Sequence, residues 1–114
     1  MIDKTYCFDV AGAHLDAFSS ALVLATLEAM RAGHWSLDAG IWSLGRPSFR
    51  LPLEHAGVHP DLAMVLREAD ELSALAALAG RAAADLRLDE LIAAVRARVL
   101  GTDIQPWEAT VHER

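Results

Sequence analysis

The stretch "ALVLATLEAM", residues 21 to 30, most limits what this chain can become. It is apolar on nearly every side, and Glu28 is its one charge. Such a run is either part of a membrane span or a helix that other elements surround. Ten residues with an internal carboxylate fall well short of the ~20 that a bilayer requires, so a surrounded helix is the reading. With its flanks the helical pattern covers 13-32. Leu15, Phe18, Leu22, Ala25 and Ala29 fall on one stripe, and Val23, Leu24, Leu27 and Met30 widen it. Gly33 suits the C′ position that closes such a helix.

The partners that would surround it follow in order. Ser36 is a good N-cap for a short helix at 37-44, with Asp38 in its first turn and Gly45 and Pro47 to stop it. Gly40 weakens that helix by ~1 kcal/mol relative to Ala, so Leu37, Ile41 and Leu44 must hold it by packing. Residues 46-59 carry two prolines and a glycine and read as an irregular loop. Pro60 fits the first helical position of a helix at 60-79, with Asp61 next. Leu62, Val65, Leu66, Ala69, Leu72 and Leu75 recur there at spacings of three and four. A last helix at 86-100 buries Leu88, Leu91, Ile92, Val95 and Val99, with Arg96 and Arg98 near its end. Whether 80-86 breaks or continues a helix is open on sequence grounds. The expected fold is all-α: a small bundle of about four helices, with an extended lead-in at 1-12 and a tail at 102-114 anchored by Trp107.

A chain of 114 residues, 54% hydrophobic, can build one self-sufficient core, so a single helical domain over 1-114 is expected. The lone Cys7 excludes an internal disulfide and any multi-cysteine zinc motif, and fits a reducing compartment. The first residues lack the charged start and apolar run of a secretory signal, so a cytoplasmic protein is expected. Heavy use of Ala and Arg, with Lys4 the sole lysine, suggests a bacterial origin. Net charge is -6, and the acid lies mostly in the second half. No basic stripe is present to neutralise phosphates, which argues against nucleic acid, including a helix-turn-helix reading of the last two helices. An acidic surface also repels anionic lipid and attracts basic proteins.

Few residues look like chemistry. In "LEHAGVHPD", His55 and His59 stand four apart, a spacing that chelates zinc when a helix carries both. Gly57 between them and Pro60 after them remove that helix, so any metal site would be a loop site, and the bland reading is a helix start. Cys7 with His14 lacks the context of a thiolate–imidazole pair. No phosphate loop, nucleophile elbow, zincin helix or calcium loop is present, so no cofactor and no catalysis are expected. The Asp-Ser-Leu motif of acyl carriers is absent too: Trp35 precedes Ser36-Leu37.

Two features point to a surface instead. Trp35, Trp42 and Phe49 fall within fifteen residues beside Arg46, and aromatic residues with arginine are the composition of interface hot spots. Trp35 and Trp42 cannot both face inward on the stripe of Leu37, Ile41 and Leu44. Asp61, Glu68, Asp70 and Glu71 form an acidic helical face. The expectation is therefore a non-catalytic protein-binding module, of the kind represented by small acidic bacterial immunity proteins or antitoxins, using these eight residues on a basic partner. The alternatives are a homo-oligomeric accessory subunit joined through the tryptophans, and a metal-dependent enzyme at His55 and His59.

Overall fold

The computed structural model describes residues 3–99 and 106–114. The protein is mostly helical, with six helices among the described residues where about four were expected, and with a small two-stranded sheet. The order is β1 (Tyr6–Asp9), α1 (Gly12–Arg31), α2 (Leu37–Gly45), α3 (Pro47–His55), α4 (Pro60–Ala69), α5 (Leu72–Ala79), α6 (Arg81–Val99) and β2 (Thr110–Glu113). α1 packs most extensively on α6, which also carries α5 and α4, and α2 links α1 to α3, α4 and α5, giving a flat molecule of 45 × 42 × 24 Å. Among the described residues no helix is long and apolar enough to cross a membrane.

α1 is not surrounded on all sides: it packs on α6 and α2 and buries a single stripe, which is not the expected one. Ser19, Ser20, Val23, Leu27 and Met30 are buried, while Leu22 and Ala25 lie exposed. A helix apolar all round offers several stripes, and here the neighbours select the one that carries small serines as well as large aliphatics. Its end is a Schellman motif: Gly33, at φ 80°, donates to the Met30 carbonyl and His34 to that of Ala29.

α2 starts at the Ser36 cap, whose hydroxyl accepts from the Ala39 N–H at 3.1 Å. Its Gly40 has a packing reason: a Cβ there would lie 2.1 Å from the Met30 sulfur, so only glycine lets α1 and α2 approach this closely. The helix stops because Pro47 forces Arg46 into an extended conformation.

The expected loop at 46-59 is instead mostly helix α3. Pro47 occupies its first position, where the missing N–H is harmless, and Phe49 and Leu53, four apart, turn toward the core. Pro52 inside it removes one backbone bond but keeps its ring exposed. The single helix expected at 60-79 is two, α4 and α5, separated by a turn at Asp70 and Glu71. The Asp70 carboxylate is laid against Gly45 of α2: a Cβ on Gly45 would stand 2.6 Å from its oxygen. The bend keeps both Ala69 and Leu72 buried, one on each side of it. The last helix begins at Arg81 and not at 86, because Gly80 (φ 91°) separates it from α5 by one residue. Residue 100 lies outside the described residues.

The lead-in and tail are not mere extensions. β1 and β2 pair antiparallel, with Cys7 opposite His112 and Phe8 opposite Val111. Phe18 of α1 receives both, its ring tilted against Phe8 at 5.8 Å and edge-on to Trp107 at 5.5 Å, while Trp107 stays 54% exposed.

Candidate protein-docking surface

α2 has two faces, and burial of Leu37, Gly40 and Leu44 against the core fixes which one faces out. Trp42 lies on the outward face and Trp35 just before the helix, seven residues earlier. Trp42 is 64% exposed and Trp35 44%. The Arg46 guanidinium sits 4.1 Å from the centre of the Trp42 ring, within cation–π range, which holds both side chains in a defined posture. Between the indoles is a shallow, largely apolar hollow that includes Ala39 and Ser43 and is edged by His34. Asp38 on the same helix accepts a 2.6 Å bond from the Ser73 hydroxyl, tying α2 to α5.

The other expected surface residues are not gathered here. Phe49 is half-buried against the core from α3 and belongs to packing. Glu68 pairs with Arg87 of α6, which also reaches Glu90 at 2.5 Å. Asp70 is exposed and lies beside Gly45 of α2. Glu71 is exposed, whereas Asp61 begins α4 and so stands at its other end. The acidic face is thus dispersed, and part of it is structural.

Most arginines are likewise committed within the chain. Arg31 bridges Asp85 and Asp89, whose hydrogen bond and charge hold the guanidinium above its ordinary pKa. The two carboxylates, one helical turn apart, are thereby joined through one guanidinium. Arg96 pairs with Glu28, Arg50 and Arg67 with Glu54, and Arg81 with Asp85. With so many cations internally matched, the -6 net charge is carried largely by acids left facing solvent.

No family model, curated protein or solved structure matches the chain.

The histidines have structural partners. His55 ends α3 and His59 is the N-cap of α4, its Nδ1 accepting from the Asp61 N–H at 3.1 Å. The Asp61 carboxylate lies 3.6 Å from the same nitrogen. Asp16 accepts the His59 backbone N–H at 3.0 Å, fastening this corner to α1. Among the described residues no three potential metal ligands converge. His14 donates from Nδ1 to the Pro106 carbonyl at 3.1 Å and so holds the tail.

Two exposed apolar regions had no strong signal in the sequence. α5, "LSALAALA", carries no charge and buries one residue, Leu72, while Leu78 is 89% exposed. The spacing of Leu72 and Leu75 hid this, because it continues that of α4 across a bend. The ribbon exposes Tyr6, Phe8 and Val111, and its pairing joins segments a hundred residues apart.

Proposed function

We propose that the chain is a non-catalytic protein-binding module that docks a basic protein through the outward side of α2. The observation that carries this reading is Trp42, held in solvent under Arg46 beside a second exposed tryptophan, Trp35. Burying an indole normally contributes strongly to folding, and tryptophan and arginine dominate interface hot spots. The hollow between Trp35 and Trp42 would receive an apolar side chain of the partner. The net charge of -6 would speed capture of a basic one. The finer reading is an inhibitor of a toxic enzyme, as bacterial immunity proteins and antitoxins are, acting in the cytoplasm. Its support is the small size, the acidity and the lone Cys7 in a chain rich in Ala and Arg.

The test is capture from cells that express the protein, with the parent and Trp42→Ala chains immobilised side by side at low and high salt. The parent is expected to retain one basic protein in equimolar amount, less of it as salt rises. Trp42→Ala should lose it, a hot-spot truncation costing about 2 kcal/mol or more. Equal retention by both chains would remove α2 from the interface, and no retention by either would sink the reading.

A further inference from the structure

β1 and β2 form a ribbon with no third strand among the described residues, and every residue of β2 is exposed. A two-stranded ribbon is marginal in water unless more strands or a packed face support it. Here the support centres on Phe18, and Phe8 and Val111 stay 59% and 53% exposed.

The ladder shows what the free edge offers. The Arg114 N–H donates to the Thr5 carbonyl at 2.7 Å, and Cys7 lies opposite His112. In an antiparallel ladder, bonded pairs alternate with non-bonded ones. The backbone groups of Thr110, His112 and Arg114 therefore point toward β1, and those of Val111 and Glu113 point away from it.

We infer that this β2 edge pairs antiparallel with the β2 edge of a second copy, about a two-fold axis at Val111. An outward-pointing residue at the axis is what the pairing requires: Val111 exchanges both backbone bonds with Val111 of the second copy, and Ala109 faces Glu113. On one face the apolar row from Phe8 to Val111 continues into Val111 and Phe8 of the other chain. On the opposite face Glu108 meets Arg114 of the second copy, twice by symmetry. Glu108 is exposed and 3.7 Å from His14 Nε2, a loose contact it can exchange. The edge is thus self-complementary in hydrogen bonding, apolar surface and charge, as an isologous interface must be. The β1 edge lacks such a match: an axis at Tyr6 sets Asp9 against Asp3, and one at Phe8 sets it against Cys7. The ribbon, and not the tryptophan surface, is then where the chain meets itself, and the two surfaces stand independently.

Sedimentation equilibrium over a wide concentration range tests this, with circular dichroism to verify the bundle. The parent is expected to approach twice its 12.3 kDa mass. Val111→Pro removes an outward N–H and no bond to β1, and should leave a monomer with unchanged helix content. Glu108→Arg alone, or Arg114→Glu alone, should raise the dimer dissociation constant about tenfold, since two ion pairs become repulsions. The double exchange Glu108→Arg with Arg114→Glu restores opposite charges and should return the constant to within about threefold of the parent. A parent that stays at 12.3 kDa throughout would overturn the inference. So would a dimer indifferent to Val111→Pro, or a double exchange no better than the single ones.

Discussion

The two faces of α2 stand in sharp contrast. Inward, Gly40 leaves no room for a methyl group against Met30, and Leu44 is buried. Outward, Trp42 and Trp35 stand in solvent with a guanidinium over one ring. One face is finished by the chain itself; the other carries the residues best suited to burial and leaves them open. The difference teaches that the core takes one stripe of this helix and leaves its largest side chain outside it.

Substitutions can break or sharpen that contrast. Leu44→Ala removes a buried side chain from the inner face and should destabilise the fold by about 2–5 kcal/mol in chemical denaturation. Gly40→Ala should destabilise by about 1–3 kcal/mol through overpacking against Met30. Adding Met30→Ala to Gly40→Ala should then cost less than the sum of the two, and strict additivity would refute the proposed contact. Ser36→Ala, which removes the N-cap, should lower stability by about 1 kcal/mol in the same assay. Arg87→Ala opens the half-exposed pair with Glu68 and should matter by less than about 1 kcal/mol. Trp42→Ala on the outer face should change stability by no more than about 0.5 kcal/mol. A loss comparable to that of Leu44→Ala would mean that the indole belongs to the fold.

Local chemistry made much of this fold legible. Gly33, Ser36 and Pro60 mark helix ends through properties of single residues, and each stands where its conformational preference put it. The inward set of α6, Leu88, Leu91, Ile92 and Val95, follows from spacing alone. What spacing could not show depends on distant partners. The bend after Ala69 lets α4 and α5 each bury a residue, Ala69 and Leu72, and β1 is a strand because β2 comes back to it. α3 was hidden by its prolines, which count against a helix in general but are tolerated at its first position and on an exposed side. Of the expected surface residues, Trp35, Trp42 and Arg46 come together. Phe49, Glu68 and Asp70 lie apart from them, and spacing alone does not show which neighbours a side chain meets: Glu68 meets Arg87 of α6 and Phe49 meets the core.

The exposure of Trp42 is the claim on which the docking surface rests, and fluorescence reads it directly. A chain carrying Trp35→Phe and Trp107→Phe retains Trp42 as its one indole. Its emission should resemble that of a solvent-exposed tryptophan, and acrylamide should quench it efficiently while the bundle remains folded. Blue-shifted emission with little quenching would place the indole in a packed environment and contradict the account.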